Sequence, residues 1–215
     1  MRRIIAAAAL VGLLGCQAES GADVVESGVG IIAAGCAGTT SEFGSGVAVD
    51  RQGQVATTAH TVAGAATITV VDSVGAEFAA TVAAFDKDAD LALLDVPGLR
   101  APPLAVGRAQ VGEALAVVWS PDGGVRPVPV RVTKQLSITI EDIYVEDEVH
   151  RSGLELVGEI STGDSGGALI DDTGEIIGII YARSRQRPQT AFATDHSELA
   201  GLLSNRPLDV TDRCQ

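Results

Sequence analysis

The segment STGDSGGALID, residues 161–171, contains a serine whose surroundings suit nucleophilic chemistry. Two glycines follow Ser165 directly, so few side chains would obstruct the approach of a substrate carbonyl to its hydroxyl. The same composition also suits a tight turn that leads into a strand. Because a serine hydroxyl is a weak nucleophile by itself, catalysis would require a base within hydrogen-bond distance and a third group that orients the base.

The chain contains three histidines that could serve as this base. His150 lies in the charged stretch EDEVHRSG and is expected at the solvated surface, and His196 lies at the start of a predicted helix. His60 lies in VATTAHTVAG, where an apolar strand ends in a turn of small residues that leave room around the ring. A structural imidazole is the alternative, but the residues that follow favour His60 as the base.

The segment DKDADLALLDV offers three aspartates as the orienting group. Asp86 and Asp88 are expected in a solvated loop. Asp90 directly precedes the apolar strand LALL, so its carboxylate is the one that folding would bury. Burial without a partner would be costly, and an imidazole N–H would supply that partner. For Asp90 taken alone, a role as a helix cap or turn residue is the alternative.

The elements that must position these residues are short strands. Runs rich in β-branched residues recur between Gly, Pro and Asp, which predicts many short antiparallel strands in a sandwich or barrel. The segments RQGQ (51–54) and DDTGE (171–175) have the composition of hairpin turns. The fold class is therefore all-β. Examples of the predicted strands are GSGVAVD, ATITVVD, DLALLDV, EALAVVWS and EIIGIIYA.

Two other segments organise the predicted sheet. Residues 97–107, PGLRAPPLAVG, are the best candidate for a connector between two halves. Residues 195–204, DHSELAGLLS, form the one convincing helix. Asp195 and Glu198 there have the spacing of a capping box, and the leucines that follow supply an apolar face.

The three blocks TTAHTV, DADLALL and GDSGGALID resemble, in their order and spacing over residues 29–204, the trypsin-like serine proteases. The resemblance implies two six-stranded antiparallel β-barrels, about 29–107 and about 108–194, followed by a short C-terminal helix and tail (195–215). It also implies a protein or peptide substrate and a reaction that uses no metal or cofactor. The implied roles are Ser165 as nucleophile, His60 as general base and acid, Asp90 as orienting carboxylate, and the N–H groups of Gly163 and Ser165 as oxyanion hole.

Another enzyme class shares part of this pattern. Gly163, Ser165 and Gly167 also satisfy the G-x-S-x-G sequence of α/β-hydrolases. In those enzymes the serine follows a βα pattern, and the acid and the histidine come after it. Almost nothing helical is predicted before Ser165, and Asp195 followed at once by His196 would be an awkward acid–base pair. This interpretation is therefore disfavoured.

Further motifs narrow the resemblance. GSGVAV, DIYVEDEV, GIIYARS and QTAFAT are similar to the MarP-type periplasmic acid-resistance proteases of actinobacteria. A disulfide between equivalent ends of that family's protease domain supports a bond between Cys36 and Cys214, which an oxidising compartment would favour; two unrelated thiols are the alternative. The family has asparagine in GNSGG where this chain has Asp164. In digestive relatives, the acid before the serine pairs with the amine of a freshly cut N-terminus. This chain contains no IVGG-like start for such a cut, so we expect Asp164 to find another hydrogen-bond donor or to be hydrated.

The resemblance is least informative about specificity. It puts Glu159 near the base of the primary substrate pocket and Tyr181 and Arg183 in one wall. A buried carboxylate there would select arginine or lysine in the substrate. The alternatives are that Arg183 pairs with Glu159 or that Glu159 points to solvent.

The N-terminus carries the features of an export signal. Arg2 and Arg3 precede an apolar run that ends in LLGC, which resembles a bacterial lipobox. We therefore expect residues 1–15 to be a lipoprotein signal peptide, Cys16 to be lipidated, and residues 16–28 to be a solvated tether. An ordinary secretory signal that is cut a few residues later is the alternative. The expected location is the periplasm or cell envelope, with the membrane as a partner through the lipid.

Length and charge limit the remaining functions. With 215 residues, 46% of them hydrophobic, the chain can bury a real core. The formal net charge of −13 argues against nucleic acid as a partner, because binding phosphates requires an excess of Lys and Arg. We expect a monomeric, exported serine endopeptidase. The competing hypothesis is an inert surface lipoprotein that retains the protease fold and only binds.

Overall fold

The computed structural model describes residues 21–35 and 41–208. The predictions about Cys16, Cys36 and Cys214 fall outside the described residues. The described chain folds into two six-stranded antiparallel barrels and a short C-terminal helix, as predicted. The first barrel contains β1 (Gly28–Gly35), β2 (Ser41–Ala48), β3 (Gln54–Thr57), β4 (Ala65–Val71), β5 (Glu77–Asp86) and β6 (Leu91–Asp95). The second contains β7 (Gly112–Ser120), β8 (Gly124–Glu141), β9 (Glu148–Gly158), β10 (Ala168–Ile170), β11 (Ile176–Arg183) and β12 (Thr190–Asp195).

Each barrel closes on its own six strands, and the two rings share no described strand. The strand order is β1-β2-β3-β6-β5-β4 in the first barrel and β10-β11-β12-β9-β8-β7 in the second. The predicted hairpin turns 51–54 and 171–175 join β2 to β3 and β10 to β11, respectively. The chain passes from one barrel to the other between Asp95 and Gly112, which includes the predicted connector 97–107.

Small aliphatic side chains fill the barrels, because the chain has few aromatic residues to do so. Val29, Ile31 and Leu94 are among the buried residues of the first barrel, and Leu154 and Ile180 among those of the second. A third apolar cluster joins side chains of both barrels to the C-terminal helix. It includes Val47, Leu91, Leu93, Val117, Ile179 and Leu199. Burial of this interface holds the two barrels against each other, and the candidate site lies where they meet.

Three helices accompany the barrels in the described ranges: α1 (Gly21–Ser27), α2 (Ala59–Val62) and α3 (His196–Asn205). The prediction of a solvated tether over 16–28 is wrong for its last residues. Helix α1 occupies Gly21–Ser27, its Val24 and Ser27 are buried, and β1 starts at Gly28. Val24 joins the apolar cluster between the barrels, and this burial explains why the segment does not remain in solvent.

Helix α3 follows the prediction at its N-terminus with one correction. Asp195 caps the helix, and its Oδ1 accepts a hydrogen bond from the Ser197 N–H at 2.7 Å. Glu198, which was expected to complete a capping box, instead accepts a hydrogen bond from the Ser152 N–H of β9 at 2.7 Å. The glutamate therefore fastens the helix to the second barrel. Of the described helices, none has the length and apolar character needed to cross a membrane.

Candidate active site

The pairing of β3 with β6 brings His60 and Asp90 together. Thr57 pairs with Ala92, so the residues just after β3 lie beside the residues just before β6. His60 lies on α2, and Asp90 ends the loop between β5 and β6. The Nδ1 of His60 lies 2.8 Å from Oδ2 of Asp90, and the His60 backbone N–H donates to Oδ1 at 2.9 Å. Because a carboxylate only accepts hydrogen bonds, Nδ1 carries the hydrogen and Nε2 keeps a free lone pair.

The electrostatic surroundings tune His60. Burial of the imidazole opposes its protonation, and the charge of Arg151 acts in the same direction. The hydrogen bond that His60 donates to Asp90 and the negative charges of Asp90 and Glu42 favour protonation and outweigh the opposing effects. The pKa of His60 is therefore raised above the 6.5 of an ordinary histidine. Asp90 is only 4% exposed and has a positive φ of 56°, a conformation that the surrounding loop must maintain.

The loop that carries Ser165 is bonded directly to the first barrel. The Ser45 N–H of β2 donates to the carbonyl oxygen of Ser165 at 2.7 Å. The Ser45 hydroxyl accepts a hydrogen bond from the Trp119 N–H at 2.8 Å. Gly166 has a φ of +87°, and a Cβ there would collide with the Ser45 carbonyl oxygen. Glycine after the serine thus permits the close approach of the two barrels.

The Ser165 hydroxyl bonds within its own barrel, whereas two backbone amides beside it have no described acceptor. Oγ lies 3.4 Å from the Tyr181 carbonyl oxygen and donates to it, and no hydrogen bond joins it to His60. The N–H groups of Gly163 and Ser165 donate to no acceptor within ranges 21–35 and 41–208. Gly163 has a φ of +96°, a backbone conformation that glycine adopts readily. Two unengaged amides beside a serine hydroxyl are what a developing oxyanion requires.

The donors to the buried Asp164 carboxylate, which the sequence did not identify, are Arg126 and the Ser161 N–H. Its side chain is 2% exposed and lies 3.1 Å from Nη2 of Arg126 on β8. The Ser161 N–H also donates to Oδ2 of Asp164 at 2.7 Å. Burial raises the pKa of Asp164, while the Ser161 N–H and the Arg126 charge oppose that rise. Arg126 is a residue that sequence reasoning missed.

A cavity of about 260 Å³ opens beside Ser165. Glu159, predicted at the base of the primary pocket, is exposed and does not line this cavity, and neither does Tyr181. Arg183 does line it. Strand β9 ends at Gly158, and the chain then turns so that Ile160 rather than Glu159 faces the cavity. The lining residues are Ile160, Ser161, Thr162, Gly163, Ser165, Ile180, Ala182, Arg183 and Arg185.

A buried arginine packs against Tyr181 and was not predicted. Arg151 on β9 is 3% exposed, and its guanidinium carbon lies 5.5 Å from the centre of the Tyr181 ring. Its Nε has no hydrogen-bond partner. The charge of Arg151 opposes protonation of His60 and also opposes the rise that burial causes in the pKa of Tyr181.

The tip of the β8–β9 hairpin contacts the loop that carries Asp90. Nζ of Lys87 lies 2.6 Å from Oδ2 of Asp142 and 3.3 Å from Oδ2 of Asp147. The Ile143 N–H donates to the Lys87 carbonyl oxygen at 3.4 Å. The hydrogen bond from Lys87 lowers the pKa of the buried Asp142 to about 2. An element of the second barrel is therefore fastened to the Asp90 loop of the first.

The alternative candidates take structural roles. Oδ1 of Asp86 accepts hydrogen bonds from the N–H groups of Asp88 and Ala89 within its own loop. His150 is exposed and bonds with the Ser137 hydroxyl at 2.7 Å. Nδ1 of His196, at the start of α3, lies 3.3 Å from the Ala109 N–H and accepts from it. His196 also lies 3.0 Å from Oδ1 of Asp195, but that pair belongs to the start of α3. Among the described histidines, only His60 pairs with an aspartate beside the Ser165 loop.

Comparisons with known proteins show which proteins this chain is similar to. Residues 44–179 match the family model described as a trypsin-like peptidase domain. Serine protease Rv3671c of Mycobacterium tuberculosis is 35% identical over 155 residues, which cover 70% of this chain and 39% of that protein. The probable periplasmic serine endoprotease DegP-like of Halomonas elongata is 32% identical over 158 residues, 70% of this chain and 32% of that protein. The chain thus spans well under half the length of these relatives.

Solved structures show the same likeness. The crystal structure of the Rv3671c protease from M. tuberculosis in its active form superposes with a TM-score of 0.80 at 28% identity, covering 88% of both chains. The inactive form of the same protease superposes with a TM-score of 0.73 at 30% identity, covering 86% of this chain and 91% of that one.

Proposed function

The chain belongs to the trypsin-like peptidase family, and on that premise we propose that it is a serine endopeptidase that cleaves protein substrates through Ser165, His60 and Asp90. The observation that carries the proposal is the 2.8 Å contact between Asp90 and Nδ1 of His60 beside a serine loop with two unengaged amides. Each of the three side chains has a separate task in such a reaction, because nucleophile, base and orienting group cannot be one residue.

In the proposed reaction, Ser165 Oγ leaves the Tyr181 carbonyl and gives its proton to Nε2 of His60 as it attacks the peptide carbonyl. Asp90 keeps the other ring nitrogen protonated and favours the imidazolium that forms. The N–H groups of Gly163 and Ser165 donate to the oxygen that becomes negative, and one such donor contributes about 3–4 kcal/mol to the barrier reduction. His60 then passes the proton to the leaving amine.

The resulting ester between Ser165 and the acyl half of the substrate is cleared by water. His60 removes a proton from the water and returns it to Ser165 Oγ, so the enzyme regains its starting state. The proposed reaction uses side chains and backbone N–H groups of the protein, and water is its only other reactant besides the substrate. The higher TM-score against the active form of the Rv3671c protease (0.80) than against the inactive form (0.73) supports an active-like overall fold.

Labelling with a fluorophosphonate probe tests the proposal directly, because the probe reacts with a serine that a base activates. We expect the wild type to be labelled and Ser165→Ala to remain unlabelled. Asp90→Asn should keep the fold but lower turnover by roughly 10⁴, since the imidazole would take the wrong tautomer. An unreactive wild type would favour the competing function, a binding lipoprotein with the protease fold.

We further propose that the protein is exported to the periplasm or cell envelope and anchored by lipid on Cys16. The LLGC motif and the similarity to the probable periplasmic endoprotease of Halomonas elongata support this. Metabolic labelling with a fatty-acid analogue should mark the wild type and not Cys16→Ser. Label retained by Cys16→Ser would contradict the anchor.

A further inference from the structure

We propose that the cavity beside Ser165 selects an acidic side chain, glutamate in particular, in the substrate residue that donates the scissile carbonyl (the P1 residue). Arg183 and Arg185 would hold the carboxylate. The inference rests on the proposed function, since it assigns the substrate class of the same site. It replaces the expectation of basic specificity, which required Glu159 in the pocket.

The position of the cavity connects it with the scissile bond. Ser165 and Gly163 belong to its wall, so a side chain that enters the cavity lies next to the nucleophile and to one proposed oxyanion donor. Its volume of about 260 Å³ accommodates a single side chain of moderate size. A group bound there is therefore attached to the residue whose carbonyl is attacked.

The chemistry of the lining favours an acid with an aliphatic stem. Ile160, Ile180 and Ala182 supply an apolar surface against which methylene groups can pack. Arg183 and Arg185 supply guanidinium groups, which bind carboxylates with paired hydrogen bonds. The hydroxyls of Ser161 and Thr162 in the same wall can also donate. A glutamate offers both features that this lining complements.

The charge distribution supports the same substrate. The chain carries 28 acidic and 15 basic residues, and yet in the part that the structure describes no carboxylate lines this cavity. Neither Arg183 nor Arg185 forms an ion pair with a described carboxylate. Arg187, a close neighbour in sequence, does pair with Glu155 at 2.8 Å. The two cavity arginines are thus available to a ligand, and a lysine or arginine in the substrate would be repelled.

The test uses diphenyl phosphonate inhibitors with glutamate-, glutamine- and lysine-like side chains on one matched backbone. An activated serine attacks the phosphorus of such an inhibitor and displaces one phenoxide. We expect the wild type to react about tenfold faster with the glutamate analogue than with the glutamine analogue, and slowest with the lysine analogue. The preference should fall with added salt, because both arginines are exposed. Arg183→Gln and Arg185→Gln should each lower it, and the double variant should abolish it.

Arg108→Gln is the matched control, because Arg108 is exposed and lines a different cavity. It should retain the wild-type preference. Labelling of Arg108→Gln by the side-chain-free fluorophosphonate should equal that of the wild type, because Arg108 lies outside the cavity beside Ser165. If that probe labels the wild type while the three phosphonates react equally, or the lysine analogue reacts fastest, the inference is wrong and the proposed function stands. If the wild type resists the fluorophosphonate itself, the proposed function fails first.

Discussion

At the scale of single residues, Asp164 shows how one substitution in a motif requires a partner far along the chain. The MarP-type proteases that the sequence resembles have a neutral asparagine at this position. A buried aspartate is costly without a counter-charge, and Arg126 of β8 supplies one at 3.1 Å. Asp164 lies between Gly163 and Ser165, so this ion pair supports the backbone from which the proposed oxyanion donors project.

The first prediction concerns this ion pair. Arg126→Gln should destabilise the fold by about 1–3 kcal/mol, a range that allows for the partial exposure of Arg126. It should lower kcat more than it raises KM, because the oxyanion donors act mainly in the transition state. Adding Asp164→Asn to Arg126→Gln should restore most of the loss, since a neutral amide needs no counter-charge. Thermal melts and steady-state kinetics measure both effects.

The direction of the pH effect distinguishes this role from simple packing. Arg126 opposes the rise in the pKa of Asp164, so Arg126→Gln should raise that pKa further. A larger fraction of Asp164 is then neutral at mildly acidic pH. The deficit of Arg126→Gln relative to the wild type should therefore shrink as pH falls. A deficit that is independent of pH and persists in the double variant would show that Arg126 only packs.

The second prediction concerns the acidic limb of the pH–rate profile. His60 must be neutral to act as a base, so kcat/KM should fall as pH decreases through its raised pKa. Glu42 favours and Arg151 opposes protonation of His60. Glu42→Gln should therefore move the acidic limb to lower pH, and Arg151→Gln should move it to higher pH. Shifts in the same direction, or none in Glu42→Gln, would contradict the assignment.

At the scale of elements, the β8–β9 hairpin joins the barrels at the proposed site. Its tip places Asp142 and Asp147 around Lys87, three residues before Asp90. Asp90 has a positive φ, which a loose loop would not maintain. We infer that the hairpin tip helps to hold the Asp90 loop in the conformation that reaches His60.

The third prediction tests this contact. Lys87→Met should lower the melting temperature and also kcat, because the Asp90 loop loses its tie to the hairpin. Lys87 lowers the pKa of Asp142 to about 2, below the 3.8 of an ordinary aspartate. The stability that this interaction contributes is complete above about pH 4 and is lost as pH falls towards 2. The difference in melting temperature should disappear over the same range.

Lys134→Met is the matched control for this prediction. Lys134 lies on β8, one of the two strands of the hairpin, and its side chain is 63% exposed. The Glu155 carboxylate lies 3.7 Å from its Nζ. An exposed pair at this distance contributes little, so the melting temperature and kcat should hardly change. Equal effects of the two substitutions would mean that the hairpin tip has no special role.

The elements also show what a sequence can predict. His60, Asp90 and Ser165 were each recognisable because a local pattern, a strand end or a glycine pair, surrounds them. The contacts of Arg126 with Asp164 and of Lys87 with Asp142 join residues 38 and 55 positions apart. Such pairs depend on strand register and on how the barrels dock, which no local pattern encodes. The error at Glu159 has the same origin, since the course of the chain after β9 decides which side chain faces the cavity.

At the scale of the whole molecule, the proposed triad depends on how two barrels sit together. His60 and Asp90 belong to the first barrel and Ser165 to the second, and the shared apolar cluster and the bond between Ser45 and Ser165 connect them. The residues that follow α3 contact the first barrel again. The Phe85 N–H donates to the Pro207 carbonyl oxygen at 2.7 Å, so the end of the described chain lies along β5.

The last prediction concerns the bond that the sequence predicts between Cys36 and Cys214, both outside the described residues. Gly35 ends β1, and β4 separates β1 from the β5 strand that Leu208 adjoins. Two strand spacings amount to about 10 Å, which the six residues after Leu208 can span at roughly 3.5 Å each.

We expect mass mapping without reductant to find Cys36 joined to Cys214. Cys36→Ser should cost about 2–5 kcal/mol of stability and lower turnover, because an error of about 1 Å in catalytic geometry can cost ~10²-fold in rate. Free thiols at both positions in protein from the cell envelope would refute the bond, whereas lost stability with unchanged turnover would refute only its effect on the site.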